Sequence, residues 1–220
     1  MENHISVVSK LDGIRSWSLM SRETCPGSLN EDGSLVEVCR GCYAGPNRGN
    51  YRFDAVKNAR RENKEVWQKG EWVDLMAKSL QKDKYFRWFD SGDIYCRELA
   101  EKILEVVKKT PNTKHLIPTR SYKIPEIKEV LEKIKKEPNA VVRYSSDKVG
   151  EYNESVHGAV VSPYFNYFIS NENVHECEAY NEGNENKCSG CRKCWNNNVK
   201  TVAFLAHGQG MKPILNDGDF

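Results

Sequence analysis

The chain has 220 residues, of which 39% are hydrophobic and 29% are charged, and its formal net charge is +2. Such a composition is typical of a globular protein, so we expect a single domain over residues 1–220. A net charge this small excludes an argument for nucleic-acid binding from charge alone. No apolar run approaches the roughly 20 residues that span a bilayer, and the sequence does not start with a signal-peptide pattern. We therefore expect a cytoplasmic protein without membrane contact.

Strand and helix patterns alternate along the chain after an irregular lead-in over residues 1–14. Strands are predicted over residues 16–20, 85–89, 115–119, 140–146, 158–162 and 201–206, and helices over 53–68, 71–80, 98–109 and 124–136. This order, with short connections, predicts right-handed crossovers and a helix-covered parallel sheet. We therefore expect an α/β fold of about six mainly parallel strands, with its core in residues 14–165 and 199–206.

Seven of the eight cysteines fall into two groups, and the first group follows the first predicted strand. It contains Cys25, Cys39 and Cys42. Disulfides are rare in the cytoplasm, so clustered thiols there indicate metal or cluster binding. Three protein ligands leave one coordination position open for a substrate or cofactor. We expect an iron–sulfur cluster here, and a structural zinc knuckle is the alternative.

The second group lies in a polar segment over residues 170–198, which we expect to be a cysteine-rich, cluster-binding insertion. It contains Cys177, Cys188, Cys191 and Cys194. Three thiols at two-residue spacing match part of the bacterial ferredoxin pattern. We expect a second [4Fe–4S] cluster with a full set of four ligands, and zinc is the alternative. The tail over residues 208–220 is short and polar, and we expect it to be loose.

Polar residues follow the predicted strands at the edge where parallel sheets place their sites. Asp93 could receive an ammonium group or cap the next helix. Arg143 could bind an anion bidentately or form an ordinary ion pair. Cys96 could be a fourth ligand to the first cluster, which would close it, or a plain helix thiol. His175, two residues before Cys177, could replace a cysteine ligand.

Four short motifs resemble the phage-encoded gene product 88 family. They are Ser16-Trp17-Ser18-Leu19, Thr24-Cys25-Pro26-Gly27, Cys42-Tyr43-Ala44 and Arg87-Trp88-Phe89-Asp90-Ser91-Gly92-Asp93. The resemblance covers roughly residues 14 to 205. It implies a phage or prophage origin, iron–sulfur binding and a location in the host cytoplasm.

The first cysteine loop and the order of elements also resemble the radical S-adenosylmethionine (SAM) enzymes, although the spacing from Cys25 to Cys39 is longer than the usual pattern. This resemblance implies a partial (β/α) barrel in which SAM occupies the open iron of a three-cysteine [4Fe–4S] cluster. Ser91, Gly92 and Asp93 stand where that family receives the SAM amino group. Arg143 and Ser145 would meet the SAM carboxylate and ribose.

Two functions from different classes are consistent with these patterns. In the first, the protein is a radical SAM-like enzyme whose open-site cluster reduces SAM, while the second cluster is auxiliary. In the second, it is a non-enzymatic protein that binds iron–sulfur clusters or zinc and contacts nucleic acid or a host protein. The response of the clusters to added SAM distinguishes the two.

Overall fold

The computed structural model describes residues 2–45, 48–218 and 220, so that Met1, Pro46, Asn47 and Asp219 lie outside it. Its strands are β1 (Ile5–Val8), β2 (Ile14–Trp17), β3 (Tyr85–Trp88), β4 (Lys114–Thr119), β5 (Ala140–Val149), β6 (Ala159–Ser162), β7 (Val174–Glu176) and β8 (Thr201–Leu205). Its helices are α1 (Glu37–Arg40), α2 (Asp54–Val66), α3 (Trp72–Leu80), α4 (Arg97–Lys109), α5 (Pro125–Ile134) and α6 (Lys212–Asp217). Each of these helices is too short or too polar to cross a lipid bilayer.

The strands form one sheet in the order β1-β2-β3-β4-β5-β6-β8-β7. β1 pairs with β2 antiparallel, and every other neighbouring pair is parallel. The prediction of an α/β fold with a mainly parallel sheet is therefore confirmed. The predicted number of about six strands was too low, since there are eight. A barrel is not confirmed, because within the described part of the chain β1 and β7 each pair with one neighbour only.

Four elements lie where no regular structure was predicted, and one of them is α1 within the first cysteine loop. β1 falls in the predicted lead-in and is a short edge strand, with Val7 69% exposed, so its apolar pattern is weak. The Asp12-Gly13 turn after it, with φ of 54° and 82°, was a local signal for a hairpin. β7 has only three residues inside the polar insertion. α6 lies in the predicted loose tail, which is instead anchored because Met211 and Ile214 are buried.

The two faces of the sheet carry different layers. Alternate side chains of a strand point to opposite faces. Phe86 and Trp88 belong to the main core, which the helices α2–α5 cover, and we call this side the helix face. Tyr85 points to the other side, where Leu116 and Val141 pack with Trp195 of the cysteine-rich segment. We call that side the cysteine face.

Candidate functional site

The first cysteine group lies in the long connection from β2 to α2, at the carboxyl end of β2. Backbone hydrogen bonds tie this connection to the loop after β3. Leu19 N donates to Ser91 O over 3.0 Å, and Asp93 N donates to Thr24 O over 3.0 Å. The cysteine loop and the 91–93 motif therefore form one unit, at the edge of the sheet where the sequence placed them.

Three glycines let the cysteine loop pack closely against its surroundings. A Cβ on Gly27 would overlap the backbone carbonyl of Arg120, and a Cβ on Gly41 would overlap Met211 Sδ. Gly92 has a φ of +74°, and its Cβ would lie 2.7 Å from Thr24 Oγ1. No other residue type fits these positions without movement of the backbone or of a buried neighbour. The loop thus forms a tight cradle bounded by the β3 loop, the β4 loop and the start of α6.

The three thiols of the first group lie within electrostatic range of one another. Burial raises the pKa of Cys25, and the charges of Asp93, Cys39 and Cys42 raise it further. Burial likewise raises the pKa of Cys39, where Arg120 opposes the shift and Cys42 adds to it. Thiols with raised pKa values stay protonated until a metal displaces the proton. The donor set, which consists of soft sulfur in a half-buried cradle, fits an iron–sulfur cluster.

Asp93 lies beside these thiols with its carboxylate buried. Oδ1 accepts from Thr119 Oγ1 over 2.7 Å and from Ile94 N over 2.8 Å, and Oδ2 accepts from Arg120 N over 2.9 Å. Burial raises the pKa of Asp93 in spite of these bonds. The alternative role as a helix cap is not realised, because α4 begins at Arg97 with Cys96 at its N-cap position.

Arg143 has a different role from the predicted cofactor contact. Its guanidinium lies on the cysteine face and donates to backbone carbonyl oxygens at distances of 2.9 to 3.3 Å. The six acceptors are those of Gly158, Lys193, Cys194, Asn196, Val199 and Lys200. All its donors are used, which leaves none for a carboxylate or phosphate, and burial lowers its pKa. Arg143 therefore fastens the second cysteine segment to β5, and its assignment to the SAM carboxylate is corrected.

A second anchor holds the turn between Cys188 and Cys191. The Asp12 carboxylate, in the β1–β2 hairpin, accepts from Ser189 N over 3.2 Å and from Gly190 N over 2.9 Å. Arg192 Nη1 donates to it over 2.9 Å. These bonds lower the pKa of Asp12, the bond from Gly190 most. Ser189 and Gly190 both have positive φ, so the backbone curls tightly between the two cysteines.

The four thiols of the second group also lie within electrostatic range of one another. Burial raises the pKa of Cys188 to about 11 and that of Cys194 to about 12, and Cys177 adds to both shifts. Burial raises the pKa of Cys177, and Cys191 adds to that shift. All four are half-buried. Cys194 packs against the cluster that contains Trp195, whose Nε1 donates to Phe86 O over 3.0 Å.

The remaining candidates lie at or beside these sites. Ser91 is buried, and its hydroxyl donates to Leu19 O over 2.7 Å, so it supports the cysteine loop. Ser145 is half-buried on β5, and its carbonyl accepts from Tyr122 OH over 3.3 Å. Cys96 packs against the main core, with burial and Glu98 raising its pKa, as expected for a helix thiol. His175 lies near Lys193 and Arg143, and its Nε2 is buried without a hydrogen-bond partner in the described chain.

Sequence reasoning missed two residues that shape the two sites, Asp12 and Met211, whereas Arg120 follows the third predicted strand at the expected edge of the sheet. Arg120 lies near Cys39 and donates to Ser146 O over 2.6 Å. Asp12 and Met211 come from opposite ends of the chain. The Asp-Gly turn signalled Asp12 only as part of a hairpin, and no local pattern signalled the contact of Met211.

No three His, Cys, Asp or Glu side chains of residues 2–45, 48–218 and 220 are arranged to hold a single metal ion. No curated protein and no solved structure matches the chain significantly. One family model does match, that of gene product 88, over residues 5–197. This range contains both cysteine groups and the loops that bound them, and it covers most of the 220 residues. The chain therefore belongs to the gene product 88 family.

Proposed function

We propose that this chain is an iron–sulfur protein that binds two [4Fe–4S] clusters in the host cytoplasm during phage infection. Cys25, Cys39 and Cys42 would hold the first cluster, and the group from Cys177 to Cys194 the second. One observation carries the proposal. In each group, thiols far apart in sequence lie within electrostatic range of one another in a half-buried cradle. A four-iron cluster also accepts thiolates that lie farther apart than those on one zinc ion, where Zn–S bonds are about 2.3 Å long.

Iron and acid-labile sulfide per chain test this proposal after anaerobic reconstitution and desalting. The intact protein should hold about eight of each. Cys42→Ala and Cys188→Ala should each retain about four, because each removes one ligand from a different group. Cys96→Ala is the matched control and should retain about eight. Zinc without sulfide would overturn the proposal, and equal iron in all four proteins would overturn the ligand assignment.

We further propose that the first cluster binds SAM, as in radical SAM-like enzymes. Three thiols leave one iron without a protein ligand. Asp93 lies beside them as a buried carboxylate that forms no ion pair within the described residues. A buried carboxylate of this kind gains stability from a cationic partner, and the ammonium group of SAM is such a partner. With SAM bound, the cluster would supply the electron for its reductive cleavage.

Electron paramagnetic resonance of the reduced protein, with and without SAM, tests this second step. The expected results are a changed signal on addition of SAM and release of 5′-deoxyadenosine under reducing conditions. Asp93→Asn should keep the iron and lose most of the response. If the signal of the reduced protein does not change on addition of SAM, the result favours the alternative, a non-enzymatic protein that contacts a host protein. The observation that favours this alternative is the loop after β6, which exposes Tyr164, Phe165 and Ile169.

A further inference from the structure

Arg87 lies between the two cysteine groups on the cysteine face of the sheet. It is the third residue of β3, so it points to the same side as Tyr85. The Tyr85 ring packs edge-on against Trp195, with ring centroids 5.7 Å apart, and Cys194 packs in the same cluster. Beyond the strand, the chain continues into Asp90. Arg87 therefore lies on the same face of the sheet as the second cysteine group.

The other end is the first cysteine group, reached through Tyr43, which directly follows Cys42. Tyr43 OH donates to Asp90 O over 2.7 Å, and Tyr51 OH donates to Asp90 Oδ2. The Arg87 guanidinium and the Asp90 carboxylate face each other at 3.7 Å from Nη1 to Oδ1. Tyr43 and Asp90 thus connect the first cysteine loop to the guanidinium.

The charge of Arg87 is only partly balanced by its neighbours. The distance to Asp90 is longer than a hydrogen bond, and two tyrosine hydroxyls already serve that carboxylate. Arg87 Nε is buried and has no hydrogen-bond partner in the described chain. A partly buried cation in this state, with 22% of its side chain exposed, costs free energy unless a further negative charge lies nearby.

The electrostatics of the neighbouring groups agree with this position. Burial lowers the pKa of Arg87, but the charges of Tyr43, Asp90, Tyr51 and Cys194 raise it by more. The guanidinium is therefore within electrostatic range of Cys194, and contacts through Asp90 and Tyr43 join it to the first cysteine loop.

We propose that Arg87 is a counter-charge shared by the two cysteine groups, which makes both clusters easier to reduce. The inference rests on the proposed function, because it concerns loaded clusters. A cluster becomes more negative when it accepts an electron, and a nearby cation stabilises that state. Removing the cation should therefore lower the reduction potential of both clusters, and the second should shift more because Cys194 is closer to the charge.

Redox titration of the two clusters, followed by electron paramagnetic resonance, tests this role in three variants. Arg87→Gln should shift the reduction equilibrium of the second cluster about tenfold, which is about 59 mV for one electron, and that of the first by less. Arg87→Lys keeps the charge and should retain most of the potential. Arg15→Gln is the matched control, because Arg15 lies on the adjacent strand and its guanidinium binds Asp83 at 2.6 Å. Cys42→Ala protein, which should keep only the second cluster, identifies its signal.

The outcomes separate this inference from the proposed function. Intact protein without iron overturns both. Normal iron in Arg87→Gln with unchanged potentials overturns the inference alone, and so does a shift confined to one cluster. If Arg87→Lys shifts as far as Arg87→Gln, the side chain acts through its shape and the counter-charge is refuted. If Arg87→Gln fails to fold, Arg87→Lys still tests the inference, because a large shift of the reduction potentials in that variant would refute it.

Discussion

Replacing Arg143 with methionine should release the second cysteine segment from the sheet while the helix-face core stays folded. Methionine keeps the apolar stem and leaves no buried charge behind. It removes every donor that now holds the carbonyls of residues 193–200 and of Gly158. The second group would then lose its attachment to β5, whereas the first group makes no use of this side chain.

The size of the effect follows from which carbonyls can rehydrate. Three acceptors belong to exposed residues and can turn to water: Lys193, Asn196 and Lys200. The other three belong to half-buried residues: Gly158, Cys194 and Val199. Leaving a buried acceptor unpaired costs about 1–3 kcal/mol each. Three of them, partly relaxed, give a local loss of about 3–5 kcal/mol, which is enough to open the segment.

Limited proteolysis and iron analysis of Arg143→Met measure this loss. Cleavage should begin within residues 177–199, and iron should fall by about half, from about eight to about four atoms. The far-ultraviolet circular dichroism should remain close to that of the intact protein. Arg15→Met is the control and should show neither change. An Arg143→Met protein that keeps all its iron and its resistance to protease would refute the reasoning.

Three further predictions concern other parts of the fold. His115 is buried, with Nδ1 accepting from Trp88 Nε1 over 3.2 Å, and burial lowers its pKa to about 4. The unfolded side chain titrates near 6.5, so above pH 6.5 the histidine is neutral in both states and does not reduce the stability of the fold. As the pH falls to 4, protonation favours the unfolded state, and the free energy of unfolding falls by about 3 kcal/mol. Chemical denaturation at several pH values should show this slope, reduced in His115→Gln. Gly27→Ala should cost the protein about half its iron, measured by iron analysis, because its Cβ meets the Arg120 carbonyl. Ile214→Ala should destabilise the protein by about 2 kcal/mol, and thus lower the melting temperature by about 4–8 °C, because it removes a buried side chain of α6.

Each of these three has its own control and its own contrary result. An unchanged pH slope in His115→Gln would show that another group titrates in this window. Gly70→Ala has open space around its Cβ and should keep all its iron, so equal losses in both alanine variants would contradict the steric argument. Ile169 is 74% exposed, and Ile169→Ala should change stability by less than about 0.5 kcal/mol. A similar effect of both isoleucine variants would mean that α6 is not packed as described.

Local patterns in the sequence were enough to place most helices, most strands and both cysteine groups. Leu99, Ile103 and Val107 recur at helical spacing, and their burial in α4 follows directly from that period. β1 and β7 were not predicted because short edge strands have a weak apolar pattern. α6 was not predicted because the polar tail shows no helical period of apolar residues.

The roles of single side chains were harder to predict, because they depend on contacts across the chain. From the sequence, Arg143 was a candidate anion ligand at the carboxyl edge of the sheet. Its partners lie 15 to 57 positions away and are carbonyls, which no side-chain pattern reveals. Asp93 showed the opposite behaviour. Its place beside the first cysteine group followed from the end of β3, since the sheet register alone brings it there.

Both cysteine groups join early and late parts of the chain. Asp12 shapes the Cys188–Cys191 turn from a position 177 residues before Ser189, and Met211 packs against Gly41 in the first cysteine loop. During synthesis, the first cysteine loop cannot pack against Met211, and the Cys188–Cys191 turn cannot bond Asp12, until the later partner of each contact has left the ribosome. The thiols of the first group are therefore made well before Met211, and they stay without this packing partner while residues 43–210 are translated.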